Sequence, residues 1–229
     1  MDYRHDLKFL VPETDLERLR GRLDQLMPLD QHQKGDFYTI RSLYFDELFD
    51  SCLEDVLSGT DRRQKFRIRT YNAKTDVIHL EKKSKYRGMI RKVSEDLTMD
   101  RCRDYLDGLP VPAQGSVSLE LLQGILSTGM SPRCIVEYDR TAYVEPAGNV
   151  RITFDRNIRG TMKTDRFLEP DSEDYVHVLP AGMHILEVKY DEFLPDYLLQ
   201  VVDLNSLQRT SFSKYAYVRN CTDIREATL

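Results

Sequence analysis

The sequence lacks the cysteine and histidine spacings that build metal or disulfide sites. Its four cysteines, Cys52, Cys102, Cys134 and Cys221, lie far apart and form no CxxC pair. Neither a zinc site nor a disulfide scaffold is therefore predicted, and we expect reduced, mostly buried thiols. The five histidines also show no ligand spacing such as HxxxH, so no histidine metal site is expected.

Long apolar runs are missing as well. No stretch approaches the roughly 20 apolar residues that a bilayer-spanning helix needs, and the first ten residues, MDYRHDLKFL, lack the apolar run of a signal peptide. The sequence therefore predicts a cytoplasmic protein with no membrane segment in this chain, and leaves a membrane-bound partner open. We find no internal repeat of useful length and no low-complexity tract.

The sequence also lacks an excess of positive charge. The net charge is −5, which argues against a polycation that coats nucleic acid through its overall field. We therefore expect no nucleic-acid partner, while a local basic site stays open. Charged residues nevertheless make up 31% of the chain, an unusually large share of ionic groups to place.

The apolar spacing predicts helices in three places and strands in most of the rest. Helical spacing covers residues 13–27 and, less evenly, residues 99–130 with a break at 109–115, and it resumes from Pro195. Alternation with a period of two predicts strands over residues 39–46, 63–72, 76–86, 90–98, 133–146, 149–160 and 183–191. The turn at 147–149 joins two of these strands and predicts a tight hairpin.

Sorting each strand by alternate residues separates an apolar face from an ionic face. In residues 65–71, Phe66 and Ile68 fall opposite Lys65, Arg67 and Arg69. The same sorting places Ile78 and Leu80 opposite Glu81 and Lys83, Ile152 and Phe154 opposite Arg151 and Asp155, and Leu186 and Val188 opposite Glu187 and Lys189. Lys82 falls on the apolar side and is expected to lie outside the ionic face.

A sheet with one face in water gives the same alternation, so the pattern alone leaves two interpretations. Two of these strands concentrate arginine on the ionic face, and the arginine fork suits phosphate oxygens. Like charges on neighbouring strands repel, so such a face is easier to explain when an anion sits on it. A triphosphate also needs one or two carboxylates for its divalent metal. The units Glu81-Lys82-Lys83 and Glu187-Val188-Lys189 supply both signs on one face.

The ordered segments YRHDLKF, TIRSLYFD, KFRIRTYN, HLEKKSK, YDRTAY, VRITFD, ILEVKYD and SFSKY resemble the VTC domain, the catalytic domain of vacuolar transporter chaperone polyphosphate polymerases. The resemblance runs from Tyr3 to about Tyr217. That family belongs to the triphosphate tunnel metalloenzymes of the CYTH-like superfamily. The resemblance implies an α+β fold with a closed antiparallel β-barrel, the triphosphate tunnel. Helices would pack outside it and a C-terminal helix would close one end, all in a single domain over residues 1–229.

The resemblance also implies roles for individual side chains. The expected phosphate-binding residues are Lys8, Arg67, Arg69, Lys83, Lys92, Arg140, Arg151, Lys189 and Lys214. Of these, the expected catalytic residues are Arg67, Arg69, Lys83, Arg140, Arg151 and Lys189. Glu187 resembles the family's metal-binding glutamate, and Glu81 stands at the matching place in the other strand. The implied cofactor is Mn²⁺ or Mg²⁺.

One departure narrows the expected activity. The wider superfamily opens with an E-x-E-x-K strand, whereas this chain has Arg4, Asp6 and Lys8 there. This argues against a CYTH-type adenylate cyclase or thiamine triphosphatase, because two metal-binding carboxylates are reduced to one. We therefore expect phosphoryl transfer from ATP or another triphosphate to inorganic polyphosphate. The alternatives are a tripolyphosphatase or nucleoside triphosphatase with the same tunnel, and a non-catalytic polyphosphate or nucleotide sensor. The oligomeric state is not predicted.

Overall fold

The computed structural model describes residues 4–169, 174–203 and 206–226. Within these ranges the chain forms ten strands and six α-helices, as an α+β fold. The strands are β1 His5–Pro12, β2 Tyr38–Asp46, β3 Arg63–Tyr71, β4 Lys74–Tyr86, β5 Met89–Asp96, β6 Ser131–Glu145, β7 Val150–Thr161, β8 Val176–His177, β9 Met183–Tyr190 and β10 Gln208–Arg209. The helices are α1 Glu13–Leu23, α2 Ser51–Leu57, α3 Met99–Leu106, α4 Ser116–Thr128, α5 Asp196–Val202 and α6 Lys214–Glu226.

All ten strands belong to one antiparallel sheet that curls on itself. The strand order is β10-β1-β9-β7-β6-β2-β3-β4-β5, with β8 paired to β7. Although β1 and β4 lie near opposite ends of this order, Lys83 Nζ in β4 is 3.3 Å from Asp6 Oδ2 in β1. The backbones of Arg4 and Ile90 also exchange two hydrogen bonds, of 3.0 and 3.1 Å. The ionic face therefore lies on the inside of the curl.

Closure of the sheet is only partial in the described ranges. The Arg4–Ile90 bridge is isolated, and no continuous ladder of hydrogen bonds joins β1 to β5 there. The large antiparallel sheet and the α+β class are thus as expected. A closed barrel is not shown.

Helices cover the apolar face of the sheet on both sides of the curl. Phe66, Ile68 and Leu80 pack in one buried cluster with Cys102 of α3 and Leu121 of α4. In a second cluster, strand residues pack beneath α1 and α5. Its members include Phe9, Ile152, Phe154, Leu186, Val188, Leu16, Leu19 and Leu198. Each such side chain contributes about 1.5–3 kcal/mol when fully buried, so burial against the helices fixes which face points inward.

Two helix ends differ from the expectation. Helix α1 ends at Leu23 instead of 27 because the chain tightens there, with Gln25 N donating to Arg22 O and Leu26 N to Leu23 O. Helix α6 begins only at Lys214, because the preceding residues pair with β1: Gln208–Arg209 form β10 and the next residue donates to the backbone oxygen of Lys8.

Two further expectations concern the cysteines and the membrane. Three of the four cysteines, Cys52, Cys102 and Cys134, are buried, as predicted. None of the helices in the described ranges is both long enough and apolar enough to span a membrane.

Candidate active site

Glu187 in β9 lies at the centre of four cations on the inner face. Its Oε1 accepts hydrogen bonds from Lys8 Nζ at 2.6 Å and from Lys214 Nζ at 2.9 Å. Its Oε2 accepts from Arg140 at 3.4 Å and from Lys189. These cations come from β1, β6, β9 and the first residue of α6, so the curl of the sheet and the docking of α6 assemble the arrangement.

Two aspartates extend this arrangement. Asp155 in β7 accepts a bidentate pair from Arg140, at 2.6 and 2.7 Å, and lies 2.5 Å from Lys214 Nζ. Asp6 in β1 lies 3.3 Å from Lys8 Nζ. We call the following residues the Glu187 cluster: Glu187, Asp155, Asp6, Lys8, Arg140, Lys189 and Lys214. Because Lys8, Lys214 and Arg140 each pair with two of the carboxylates, the cluster is one connected network.

The charges in the Glu187 cluster stabilise one another. Burial raises the pKa of Glu187, but the attraction of Lys189, Lys214 and Lys8 outweighs it and holds the pKa well below its ordinary value. Burial lowers the pKa of Lys214, but the attraction of Asp155 and Glu187 outweighs this effect, so the pKa lies above its ordinary value. The Glu187 carboxylate and the Lys214 ammonium group are therefore both ionised at neutral pH.

Glu81 in β4 forms a second, separate cluster. It is fully buried, and its carboxylate accepts hydrogen bonds from Arg67 Nε at 2.7 Å and from Lys92 Nζ at 2.8 Å. Arg69 Nη1 lies 3.7 Å away, and Arg67 also donates to Tyr44 Oη at 2.9 Å. We call Glu81, Arg67, Arg69 and Lys92 the Glu81 cluster. Burial raises the pKa of Glu81, but Arg67 and Arg69 lower it far more.

Arg151 lies apart from both clusters. In β7 it stands directly opposite Lys189 of β9, but its guanidinium pairs with Asp30 at 2.8 Å and donates to Tyr38 Oη at 3.0 Å. Lys83 contacts the Glu187 cluster through Asp6. All the residues expected from the sequence therefore lie on the ionic face, but they divide among several networks.

Tyr138 and Lys65 are inner-face residues that the sequence reasoning did not assign to the site. Tyr138 Oη accepts from Arg69 at 3.3 Å, and its ring centroid lies 4.6 Å from Lys214 Nζ. Its position two residues before Arg140 in one strand was the available signal. Lys65 shares the face of Arg67 and donates to Ser213 Oγ at 2.9 Å.

In the described ranges, the two glutamates expected to bind a metal together pair with different cations. The described residues contain no group of three His, Cys, Asp or Glu side chains that could hold a metal ion. Mg²⁺ and similar ions often use one or two carboxylates and take their other ligands from substrate phosphates and water. An ionised, buried Glu187 amid phosphate-attracting cations fits that donor set. Glu81 is enclosed by its own three cations, and its part in metal binding stays a prediction.

The comparisons with known proteins now identify the family. The model of the VTC domain matches residues 3–221. The chain belongs to the VTC domain family. No curated protein sequence matches this VTC domain.

Several solved structures share its fold. The PH1819 protein of Pyrococcus horikoshii OT3 is 14% identical with a TM-score of 0.53, and the match covers 95% of this chain and 99% of that one. A Bacillus halodurans protein, provisionally named an adenylate cyclase, is 14% identical with a TM-score of 0.54, covering 89% and 92%. A Vibrio parahaemolyticus protein with the same provisional name is 11% identical with a TM-score of 0.54, covering 95% and 98%. At these identities the likeness concerns the fold alone.

Proposed function

We propose that this VTC domain is a metal-dependent phosphotransferase that moves the terminal phosphoryl group of a nucleoside triphosphate onto a polyphosphate chain. The Glu187 cluster carries the proposal, because four cations converge there on a buried, ionised carboxylate. Such a site suits a multiply charged anion together with one divalent cation. The reaction would take place in a cationic tunnel formed by the curled sheet.

Fixed positions of the cations support catalysis of this kind. Phosphoryl transfer depends mainly on in-line positioning and on neutralising charge, with little covalent work for the protein. Asp155 holds the guanidinium of Arg140 through two hydrogen bonds, and Glu81 with Tyr44 holds that of Arg67. These guanidinium groups are therefore oriented before a triphosphate binds, so the arginine side chains lose less conformational entropy on binding.

Glu187 is the residue that would hold Mn²⁺ or Mg²⁺, which supplies neutralisation of charge on the phosphate oxygens. Lys8, Lys189 and Lys214 are positioned to bind the remaining oxygens of the triphosphate. Arg67, Arg69, Arg140 and Arg151, with Lys83 and Lys92, extend the phosphate-binding surface along the inner face.

The charge partners of the carboxylates favour a phosphate acceptor over water. Water benefits from a base that removes its proton, whereas the terminal phosphate of a chain is already an anion. Glu187, Asp155 and Glu81 each hold at least two cations, and their pKa values lie below the ordinary range. None of the three is suited to accept a proton at neutral pH.

A closed tunnel belongs to this proposal. The Arg4–Ile90 bridge and the Lys83–Asp6 ion pair support it, because they bring the two ends of the sheet together. The first turn of α6 supports closure at one end, because Lys214 inserts among residues of β7 and β9.

A product assay tests the proposal. The protein is incubated with ATP and Mn²⁺ or Mg²⁺, and ADP, free phosphate and polyphosphate are measured separately. Polymer with ADP is the expected result. Free phosphate without polymer would replace the proposal by a tripolyphosphatase or nucleoside triphosphatase. Tight binding of ATP without any product would replace it by a sensor.

A further inference from the structure

Cationic side chains stand opposite one another on three neighbouring strands of the inner face. Lys65 in β3 stands directly opposite Lys83 in β4, which stands directly opposite Lys92 in β5. On the next rung of the same face, Arg63 stands opposite Lys85. Like charges directly opposite one another destabilise a sheet, so this part of the ladder requires compensation.

The compensation that the protein supplies is uneven. Lys92 has Glu81 at 2.8 Å, and Lys83 has Asp6 at 3.3 Å. Lys65, by contrast, reaches no carboxylate of the described chain: its Nζ donates to Ser213 Oγ at 2.9 Å and lies 5.4 Å from the ring centroid of Tyr215. Lys85 likewise forms no ion pair with any described residue. We call Arg63, Lys65, Lys83 and Lys85 the cation row.

The pKa values of the three lysines in the cation row are lowered, as expected for cations with too few carboxylate partners. Burial, followed by repulsion from Arg63 and Lys8, lowers the pKa of Lys65 from 10.5 to about 7. Burial and the neighbouring Lys8 lower the pKa of Lys83 to about 7 despite the attraction of Asp6. Burial and Arg63 also lower the pKa of Lys85. An anion placed among these groups would relieve their repulsion and restore their charge.

We propose that the cation row is a second anion site, which binds the metal-free phosphate groups of a linear phosphate chain beside the Glu187 cluster. The choice of phosphates as the anion rests on the proposed function, whereas anion binding itself rests on the row alone. A chelated metal does not suit this site, because Asp6, the carboxylate that contacts Lys83, is already shared with Lys8 of the Glu187 cluster.

Spacing and position favour a chain over a single phosphate. Successive residues on one face of a strand are about 6.6 Å apart, so the two rungs present cations over a length that exceeds one phosphate group. Lys8 repels Lys65, Lys83 and Lys85 and also hydrogen-bonds Glu187. The row therefore adjoins the Glu187 cluster, and a chain held in it would present its end to a triphosphate bound there.

A purely structural role explains less. Ser213 precedes α6 and accepts a weak hydrogen bond from Ala216 N at 3.4 Å, so Lys65 could simply support the start of that helix. That role accounts for neither Arg63 nor Lys85, which stand on the next rung without a carboxylate partner among the residues that the structure describes.

Calorimetric titration with inorganic tripolyphosphate in EDTA tests the proposal. Lys65→Met and Lys85→Met should each weaken binding of the metal-free anion by about tenfold, or about 1.4 kcal/mol. Lys82→Met is the matched control, because Lys82 lies on the opposite face of β4 and pairs with Glu120 of α4. Binding by both row variants within about twofold of the wild type would overturn the proposal.

A footprint on the wild-type protein avoids any doubt about folding of the variants. Lysine acylation is measured by mass spectrometry with and without tripolyphosphate in EDTA. Protection of Lys65 and Lys83, with unchanged labelling of Lys82, is expected. Equal labelling of Lys65 in both samples would overturn the site.

Parallel ATP turnover assays keep the two proposals separable. If Lys65 is protected by tripolyphosphate but ATP is not turned over, the second anion site stands and the proposed phosphotransferase fails. If ATP is turned over into polymer but Lys65 is not protected, the phosphotransferase stands and the second site fails.

Discussion

The Glu187 cluster and the cation row share one face of the sheet but balance their charges differently. The cluster places three carboxylates among four cations, and every one of its lysines contacts a carboxylate. In the row, Lys83 alone contacts a carboxylate of the described residues. The cluster is therefore held in place by its own opposite charges, whereas the row is left for a ligand to neutralise.

Lysine shows the difference most directly. Lys214 and Lys65 are both held away from solvent, yet the pKa of Lys214 is raised and that of Lys65 is lowered to about 7. Burial lowers both. Asp155 and Glu187 reverse the effect for Lys214, whereas no carboxylate in the described part of the chain does so for Lys65. The sign of the shift therefore depends on which strands the sheet places beside each lysine.

The largest expected effect is on ATP turnover, when the central carboxylate of the Glu187 cluster is removed so that its cations lack that partner, as in the cation row. Glu187→Gln keeps the shape of the side chain but removes the central negative charge. Metal-dependent turnover of ATP should fall on the order of 10²-fold or more, while affinity for metal-free tripolyphosphate should not fall. The rates are measured with saturating Mn²⁺, and Glu192→Gln, at an exposed position nearby, is the control. Turnover within a few-fold of wild type would remove Glu187 from the proposed mechanism.

Stability should separate the two regions next. Lys214→Met takes a cation away from Asp155 and Glu187 and should lower the free energy of unfolding by about 3 kcal/mol, because it leaves buried carboxylates less compensated. Lys65→Met removes an unbalanced buried charge and should be neutral or stabilising. Urea unfolding of both variants at neutral pH provides the measurement. Equal losses would contradict the proposed difference in charge balance.

The anchor of α6 should affect both regions together. The hydroxyl of Tyr215 donates to Asp46 and accepts from Arg219 at 2.9 Å, next to Lys214 of the cluster and Ser213 beside the row. Tyr215→Phe should cost about 1–2 kcal/mol of unfolding free energy. It should also weaken both ATP turnover and tripolyphosphate binding. A loss confined to one of the two activities would show that α6 positions only that region.

Proton uptake is the smallest expected effect. Lys65 and Lys83, with pKa values of about 7, are largely neutral in the free protein near pH 8, and a bound anion should recharge them. Tripolyphosphate binding should therefore take up protons and strengthen as the pH falls from about 8 to about 6. Calorimetry in two buffers of different ionisation enthalpy measures the uptake. Lys65→Met should take up fewer protons, and an identical uptake would contradict the assignment to Lys65.

The same pKa values set the effect on stability. Between about pH 7 and 10.5 the unfolded chain binds more protons at these two lysines than the folded protein does. Their contribution to the unfolding free energy therefore rises with pH across that window. The charged neighbours of Lys65 are Arg63, Lys8 and Arg67. Those of Lys83 are Asp6, Lys8, Glu187 and Lys189.

The sequence predicted the elements and faces of the sheet well. The hairpin at residues 147–149 is confirmed, since β6 and β7 pair on either side of it. Lys82 lies outside the ionic face and pairs with α4, as its alternation indicates. These features are local: side chains alternate along any strand, so neighbouring residues alone assign each one to a face.

The pairing of charges could not be predicted in the same way. In the described residues Glu187 and Glu81 pair with different cations, because β9 and β4 lie far apart in the strand order. Tyr138 was missed although it shares the face of Arg140. Its importance depends on Lys214, which reaches it from another element.

By itself, the sequence determined that this VTC domain has an antiparallel sheet with one apolar face and one face rich in arginine and lysine. Tertiary structure alone decided which carboxylate meets which cation, and therefore that Lys214 is held by Asp155 and Glu187 while Lys65 contacts Ser213 and Tyr215. The physical reason is range. Face assignment depends on the alternation within one strand, whereas charge balance depends on strand register, sheet curl and helix docking between residues far apart in sequence.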